Sequence, residues 1–367
     1  MSKVLILANS SSGLFDFRNG LILKLLKDGN DVVVSLPDDM CTAELRAEGC
    51  RVIHTDINRR GMNPGQDLRL LKSYKAMLKD EKPDVVLTYT IKPNVYGGYM
   101  CRKLGIPYIT TITGLGSAFE KSGFMKEVIV KMYRMGVKGS ECVFFQNAEN
   151  RGIFRKFKIL GKSDALVGGS GVDLERHSFS QYPLHEQNET IFIYVGRLMR
   201  EKGTDEFLES SRRMHEKYGS CFKAMTIGYS DEDYDEKITR ASKEGYVEAV
   251  PFQKDIIPWI ENADCVVMPS YHEGMSNVVM EAAATGRPVI ATDISGCREL
   301  VDNNESGFLI KKESADALFD AMDKFMLLDT EKRAQMGVNG RKKMEREFDR
   351  ECIIDAYISK INDVIKN

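Results

Sequence analysis

The sequence predicts an α/β protein built from two doubly wound domains in tandem. Short Val-, Ile- and Leu-rich runs without polar alternation, typical of parallel strands buried on both faces, alternate with amphipathic segments of helix length. This pattern starts again after a polar stretch at residues 183–190. A length of 367 residues also suits two domains of ordinary size. Since ligands of such sheets bind beyond the carboxyl ends of the strands, the two domains are expected to face a central cleft that holds the site.

The first predicted domain covers residues 1–182, and the C-terminal helix at about 348–367 is expected to pack back on it. Residues 8–18 are interpreted as a loop between the first strand and the first helix. The predicted strands are residues 4–8, 31–35, 51–54, 85–89, 108–112 and 142–146. The predicted helices are residues 20–28, 42–48, 66–81, 95–103 and 125–138.

The second predicted domain covers residues 183–347. A helix is expected at 205–217, and another begins near Ser276 or Asn277. The predicted strands are residues 191–195, 223–227, 247–250, 265–269 and 289–292.

Composition excludes several classes of protein. A hydrophobic content of 43% and a charged content of 29% are ordinary for a globular protein and exclude disordered, collagen-like and coiled-coil chains. No apolar run reaches the length of a membrane span, and no signal peptide is visible. The eight cysteines form no CxxC pair and no metal-ligand spacing, which indicates free thiols in a reducing compartment. A cytoplasmic protein is therefore expected, with any membrane contact peripheral, at the inner face of the plasma membrane.

The near-neutral net charge of −2 conceals an uneven distribution. Residues 1–180 carry 27 basic and 19 acidic side chains, whereas residues 181–367 carry 25 and 35. The basic half is expected to meet an anionic surface or ligand, although a chance difference between solvated faces is the alternative.

The densest chemical signal is a strand–loop–helix segment in the second domain. Its loop carries Glu273 and Gly274, and Gly274 allows a turn that points the amides of Met275 and Ser276 at the cleft. Free amides at a helix N-terminus bind phosphate. Glu281, about one turn into the helix, lies in an apolar context and needs hydroxyl partners such as a ribose diol. Taken singly, either glutamate could instead be an ordinary surface carboxylate.

A second loop follows the first strand of the same domain. Gly196 and Gly203 allow tight turns there, and Arg197 and Lys202 bring two cations to the strand end. A forked guanidinium and a compact ammonium together suit a diphosphate. The alternative for this loop is a basic surface segment without a ligand.

These motifs, Gly-Arg-Leu…Glu-Lys-Gly followed by Pro-Ser-x-x-Glu-Gly and a second Glu eight positions after the first, resemble those of retaining glycosyltransferases of family 4, which have the GT-B fold. The resemblance covers essentially the whole chain and is most specific in the second domain. It implies that Arg197 and Lys202 hold the nucleotide diphosphate and that Glu281 holds the ribose. Glu273, with the backbone at 274–276, would contact the donor sugar and the distal phosphate. Arg197, Lys202 and Glu273 are thus the expected catalytic residues.

The resemblance extends to other positions. Phe252 and Gln253 would lie beside the base, although Gln253 stands where many relatives have glycine. In the first domain, Gly13 would belong to a loop that closes on the diphosphate. Arg18 is a candidate for binding an anionic acceptor, or else packs against Asp16 or its own helix.

No catalytic histidine is assigned in the first domain. Many relatives carry a histidine where this chain has Thr113 and Gly114. Thr113 is therefore treated only as a candidate acceptor contact.

The resembling subgroup adds N-acetylhexosamine or hexose units to polyprenyl-diphosphate-linked sugars in bacterial glycan and capsule assembly. It implies a UDP-sugar donor, a lipid-linked saccharide acceptor, and no cofactor, metal ion or nucleic-acid partner. Asp231-Glu-Asp233 matches a metal motif formally, but the acidic residues are expected to favour a helix N-terminus. A nucleotide-sugar epimerase of the same architecture and a non-catalytic bilobed sugar-binding protein are the alternatives.

Residues 121–138 form a basic amphipathic segment that is expected to contact anionic membranes peripherally. A core-packed helix with a solvated basic face is the alternative. The predicted apolar face is Phe124, Met125, Val128, Ile129 and Met132, and the basic residues are Lys126, Lys131, Arg134 and Lys138.

Overall fold

The structure, a computed structural model, consists of two compact units with one parallel sheet each. Met1–Ser170 and Arg350–Asn367 form the first unit, and Gly171–Asp349 form the second. The predicted fold class of two doubly wound, Rossmann-like α/β domains is confirmed. The structure describes residues 1–37, 40–58, 63–115, 119, 123–185, 189–231 and 233–366, without the side chain at position 124.

The second unit begins at Gly171 rather than at the predicted residue 183. The segment that follows Gly171 is bound to the second sheet and its helices. The Tyr182 hydroxyl donates to Asp264 at 2.7 Å, and Arg287 donates to the Ser180 carbonyl at 2.9 Å. These long-range bonds, which no local pattern reveals, place the boundary earlier in the chain.

In the first unit, seven parallel strands lie in the order β3-β2-β1-β4-β5-β6-β7. The strands are β1 Lys3–Leu7, β2 Asp31–Leu36, β3 Arg51–His54, β4 Val85–Tyr89, β5 Tyr108–Ile112, β6 Cys142–Phe145 and β7 Asp164–Leu166. The helices are α1 Ser11–Lys27, α2 Thr42–Ala47, α3 Pro64–Glu81, α4 Gly98–Leu104, α5 Phe124–Val137, α6 Ala148–Lys156 and α13 Arg350–Lys366. A π-helical turn, Pro93–Gly97, precedes α4. Strand β7 and helix α6 were not predicted.

Apolar clusters cover both faces of this sheet, which explains why its strands do not alternate. Val4 and Ile6 of β1 pack in the cluster that includes α1 and α13, whereas Leu5 and Leu7 pack in the cluster of α3 to α6. The C-terminal helix thus completes the core of the first unit.

Helix α1 begins at Ser11, nine residues before the predicted start at residue 20, so Gly13 lies in its first turn and not in a loop. The Ser10 hydroxyl caps the helix by accepting from the Gly13 amide at 3.2 Å. Leu14 and Leu21 are buried at helical spacing and extend the amphipathic pattern toward the N-terminus.

Helix α5 packs on the core with a different face from the predicted one. Val130, Tyr133 and Val137 are buried, whereas Met125 is 40% exposed. Gly136 decides the orientation, because a Cβ there would lie 2.4 Å from the Asn94 carbonyl oxygen. Val128, Ile129 and Met132 are therefore only partly buried, while Lys131 and Lys138 are exposed. The predicted positions Lys121 and Ser122, and the Phe124 side chain, lie outside the described residues.

In the second unit, six parallel strands lie in the order β10-β9-β8-β11-β12-β13. The strands are β8 Thr190–Val195, β9 Phe222–Gly228, β10 Glu248–Pro251, β11 Cys265–Met268, β12 Val289–Thr292 and β13 Gly307–Ile310. The helices are α7 Thr204–Tyr218, α8 Asp235–Lys243, α9 Ile257–Glu261, α10 Asn277–Ala284, α11 Ala315–Met326 and α12 Thr330–Glu347. The edge strand β13 was not predicted.

The strand order reverses between β1 and β4 in the first unit and between β8 and β11 in the second. Crevices at such reversals, beyond the carboxyl ends of the strands, are where doubly wound sheets bind ligands. Across the described residues, no helix is both long enough and apolar enough to cross a bilayer.

Candidate functional site

The loops after β8 and β11 meet at the carboxyl edge of the second sheet. Gly203 has a φ of +71°, and a Cβ on it would lie 2.2 Å from the Pro269 carbonyl oxygen. Only glycine therefore allows the two loops to pass so closely. The Tyr271 amide donates to the Glu201 carbonyl at 2.9 Å and fixes their register.

Two predicted site residues meet between these loops. Lys202 Nζ lies 2.6 Å from Glu273 Oε1, and their side chains are 22% and 12% exposed. One hydrogen of the ammonium serves this pair, and the ammonium carries two further donors. Cys297 is buried nearby, where burial and the charge of Glu273 raise the pKa of its thiol well above the ordinary value. The thiol is therefore protonated and adds no charge to the site.

Arg197 follows Gly196 in the loop after β8. Its guanidinium donates to Asp231 Oδ2 at 2.6 Å, and its carbonyl accepts from the Tyr194 hydroxyl at 2.9 Å. Asp231 was not predictable as the partner of Arg197, because the contact joins residues on two different strand-end loops. Glu232 of the Asp-x-Asp motif lies outside the described residues.

One of the two predicted amides before α10, that of Ser276, is engaged within the protein. The Ser276 amide donates to the Gly296 carbonyl at 2.9 Å, so it does not point at a ligand. The Ser276 hydroxyl caps the helix by accepting from Val279 N at 3.5 Å. The Met275 side chain is buried in the apolar cluster on one face of the sheet.

The segment around Gly296 clamps the Glu273–Gly274 turn. A Cβ on Gly296 would lie 2.9 Å from the Glu273 carbonyl oxygen and 2.8 Å from that of Gly274. Glu299 holds the clamp by accepting from the Gly296 amide at 2.7 Å and from the Ser295 hydroxyl at 2.9 Å. This carboxylate was missed by sequence reasoning, and its only local signal is its position near the end of β12.

Glu281 lies one turn after Asn277 on α10 and is half-buried. Its carbonyl accepts from the Thr285 hydroxyl at 2.8 Å. This position agrees with a carboxylate that is partly removed from water on the helix that follows Gly274.

An exposed aromatic pair lies at the ends of β9 and β10. Phe252 and Tyr229 are 64% and 52% exposed, and their ring centroids lie 6.1 Å apart with an interplanar angle of 68°. Gln253 donates to the Pro251 carbonyl at 3.1 Å. Tyr229 was missed by the sequence analysis, although it directly follows the Gly that ends β9.

In the first unit, Arg18 is only 7% exposed. Its guanidinium carbon lies 5.2 Å from the Tyr89 ring centroid and 5.5 Å from that of Tyr357. Gln146, with its amide oriented to suit both neighbours, accepts from Arg18 and donates to the Thr113 carbonyl, each at 3.0 Å. The two candidate acceptor residues are thus linked through one buried amide. The Arg18 guanidinium also donates to the Gly169 carbonyl at 3.4 Å.

No group of three or more His, Cys, Asp or Glu side chains among the described residues is arranged to hold a metal ion.

Comparison with known proteins gives two family matches. The family described as "Glycosyl transferases group 1" matches residues 176–343, and "Glycosyl transferase 4-like" matches residues 3–147. A Campylobacter jejuni N,N'-diacetylbacillosaminyl-diphospho-undecaprenol alpha-1,3-N-acetylgalactosaminyltransferase is 27% identical over the full length of both chains. An Escherichia coli UDP-Gal:alpha-D-GlcNAc-diphosphoundecaprenol alpha-1,3-galactosyltransferase is 27% identical, over 82% of this chain and 79% of its own.

Among solved structures, Anabaena HepE in complex with UDP and glucose superposes with a TM-score of 0.80. It is 19% identical, and the match covers 99% of this chain and 100% of HepE. At this identity the likeness concerns the fold alone.

Proposed function

Since this chain belongs to the glycosyltransferases, with the group 1 family in its second unit and the 4-like family in its first, we propose that it transfers an N-acetylhexosamine or a hexose from a UDP-sugar to a polyprenyl-diphosphate-linked saccharide, with retention of anomeric configuration. The expected assignment to the glycosyltransferases is confirmed. Support for the acceptor comes from the printed names of two relatives, each of which acts on a diphospho-undecaprenol-linked sugar.

The Lys202–Glu273 pair is the observation that carries this proposal on the donor side. It holds an ammonium at the point where the sheet order reverses, in a half of the chain that is acidic as a whole. The donor must therefore be bound by local groups and not by the general field of that half. Arg197, the residue after Gly196, adds a guanidinium that can form forked hydrogen bonds. Asp231 holds this guanidinium in place through an ion pair.

The chemistry assigns one task to each group. A bond forms between the acceptor oxygen and the anomeric carbon on the face from which the diphosphate departs. The bond from that carbon to the phosphate oxygen breaks, and the hydroxyl proton passes to the leaving diphosphate. Lys202 and Arg197 stabilise the negative charge that grows on the diphosphate oxygen as its bond to the sugar breaks. The charge on this oxygen is larger in the transition state than in the ground state, so the two cations lower the barrier. Glu273 positions Lys202 and faces the donor sugar, and Glu281 accepts from the ribose.

The first unit would receive the acceptor, and α5 would contact the membrane at its cytoplasmic face. Supporting this are the exposed Met125, the exposed Lys131 and Lys138, and the excess of basic residues in this half of the chain. Sedimentation with anionic and with neutral vesicles tests the contact. We expect binding to anionic vesicles that weakens with salt, and equal recovery with both vesicle types would contradict it.

A panel of nucleotide sugars tests the proposed reaction. The true donor is expected to raise the melting temperature selectively, since binding to the native state stabilises it. The same donor is then incubated with a short-chain polyprenyl diphosphate carrying one N-acetylglucosamine, and the product is identified by mass spectrometry and by the configuration of its anomeric proton. A parallel incubation without acceptor separates transfer from epimerisation. An inverted linkage, or a new epimer with no transfer, would overturn the proposal.

A further inference from the structure

A cavity of about 550 Å³ lies in the first unit, beyond the carboxyl ends of β2 and β3 and beside the first turns of α3. Its wall includes Pro37 after β2, residues 55–58 after β3, and Gln66, Arg69 and Ser73 of α3. None of these residues takes part in the site described above.

The lining has the chemistry of a site for a hydroxyl-rich ring. Ile57 and Leu70 are buried and form an apolar floor. Polar side chains stand around it, and Asn58 Nδ2 donates to Gln66 Oε1 at 3.3 Å. Gln66 lines the cavity, and its amide nitrogen supplies hydrogen-bond donors there. Amides both donate and accept, as sugar hydroxyls do, and a few such groups above an apolar surface are typical of small-molecule sites.

The cavity lies on the edge of the sheet where the reaction is expected. Strand β2 separates β3 from β1, and the sheet order reverses between β1 and β4. Neighbouring strands are about 4.8 Å apart, so the ends of β2 and β3 lie roughly 5 to 10 Å from the end of β1. That separation is comparable to the width of one sugar ring. A ring in the cavity could therefore turn a hydroxyl toward the reversal point.

The part of α3 that lines the cavity is held from two sides. Asn63 caps the helix by accepting from the Gly65 and Gln66 amides at 3.1 and 3.2 Å. Asp67 pairs with Lys92 at 2.8 Å, and both side chains are largely buried. This pair fastens the first turn of α3 to the segment after β4, so that Gln66 stands on a fixed element.

We propose that this cavity binds the terminal sugar of the acceptor, the ring that bears the attacking hydroxyl. The inference rests on the proposed transfer to a lipid-linked saccharide and assigns its acceptor subsite. Gln66 and Arg69 donate to hydroxyl or acetamido oxygens of this sugar, and the apolar floor covers one face of the ring.

Two variants of α3 test the subsite against a matched control. Arg69→Ala removes a cation that lines the cavity, and Gln66→Ala removes an amide. Lys75→Ala removes the same charge from an exposed position on another side of the same helix. With the short-chain polyprenyl diphosphate that carries one N-acetylglucosamine, we expect the acceptor KM to rise about tenfold in Arg69→Ala and about fivefold in Gln66→Ala. The donor KM and the slow hydrolysis of donor without acceptor stay unchanged, and Lys75→Ala behaves as wild type.

Binding measured without transfer separates this inference from the proposed function. Microscale thermophoresis gives the Kd of the same acceptor for all four proteins, and the Kd is expected to rise as the KM does. An unchanged KM and Kd in both variants, or no acceptor binding by wild type, overturns the subsite. If Arg69→Ala and Gln66→Ala weaken the binding of a sugar-free polyprenyl diphosphate as strongly as they weaken the binding of the sugar-bearing acceptor, the cavity recognises the diphosphate. The assignment to a sugar is then wrong. If wild type binds the acceptor but transfers nothing from any donor, the proposed function fails while the subsite stands.

Discussion

Lys202 Nζ lies 2.6 Å from Glu273 Oε1, and this ion pair joins the loops that follow β8 and β11. These strands are hydrogen-bonded neighbours, with Cys265 opposite Phe192 in the register. Both charged groups are largely removed from water. Loss of either one therefore leaves the other as an unpaired, poorly hydrated charge, which is unfavourable. The pair therefore fixes the geometry of the loops as well as the position of the ammonium.

Replacing Lys202 by alanine is expected to reduce transfer at least a hundredfold, as does the loss of one charge-stabilising donor in other enzymes. The measurement is transfer of radiolabelled sugar from the donor. Lys223→Ala is the matched control, since it removes the same charge from an exposed pair with Glu248 in the same unit. Near-wild-type turnover by a folded Lys202→Ala protein would contradict the role of this residue.

Glu281→Ala is expected to abolish the preference of the protein for a ribose over a 2′-deoxyribose nucleotide. If the carboxylate accepts from the ribose hydroxyls, wild type should bind UDP about tenfold more tightly than 2′-deoxy-UDP, and the variant should bind both alike. Calorimetric titration gives the two dissociation constants. Glu305→Ala, at an exposed position of the same unit, serves as control. A ratio that survives in Glu281→Ala would remove this residue from the ribose site.

Gly13→Ala distinguishes a helical glycine from a loop glycine. The structure places Gly13 in the first turn of α1, where a Cβ would meet Ser10 atoms at an ordinary 3.4 Å. The substitution should therefore stabilise the protein by about 0.5 to 1 kcal/mol, since alanine restricts the unfolded chain. If the backbone also approaches the diphosphate closely, as the resemblance implies, the donor KM rises in the same variant. A lower melting temperature would show that the position needs the freedom of glycine.

The sequence predicted the central strands well because strands buried on both faces leave long apolar runs. It missed β7 and β13, which are short edge strands, and Asp164–Leu166 of β7 has no fully buried residue to mark it. The start of α1 was encoded by Ser10 as a cap and by Leu14 at helical spacing, but Gly13 was interpreted as a loop signal.

The candidate site was predictable where its residues follow strand ends in a known pattern, as Lys202 and Glu273 do. It was not predictable where distant segments decide the bonding. The Ser276 amide is taken by the Gly296 carbonyl, and Arg197 is held by Asp231, contacts that only the tertiary fold creates. Arg18 shows the same limit, because its buried position depends on Tyr357 of the C-terminal helix.

Thiol labelling tests the burial of the cysteines. Burial raises the pKa of Cys50 to about 12, so little reactive thiolate forms near pH 8. In the native protein we expect iodoacetamide to modify the exposed Cys221 and Cys352 first, as peptide mapping by mass spectrometry would show. Fast labelling of a buried thiol in the native protein would contradict the packing described. The thiols expected to react only after unfolding are Cys50, Cys101, Cys142, Cys265 and Cys297.

Glu81, at the end of α3, links this helix to β3 and makes stability depend on pH. Hydrogen bonds from Arg51 lower the pKa of the Glu81 carboxyl, and one of them is 2.6 Å long. A carboxyl with a depressed pKa stabilises the fold above its unfolded pKa of about 4.3, and this contribution is lost as the pH falls through the folded value. Glu81→Gln should therefore lower the free energy of unfolding by about 0.5 to 1 kcal/mol at pH 7. The difference from wild type should vanish in acid, where Glu81 is protonated in both states.

Urea unfolding of wild type and Glu81→Gln at pH 7 and at about pH 3 gives both differences. Asp80→Asn is the control, because this substitution removes the same charge from an exposed position on the same helix. A loss of stability in Glu81→Gln that persists undiminished in acid would mean that packing of the side chain, and not its charge, ties α3 to β3. Equal behaviour of the two variants at pH 7 would mean that the Arg51 contact contributes nothing beyond general surface charge.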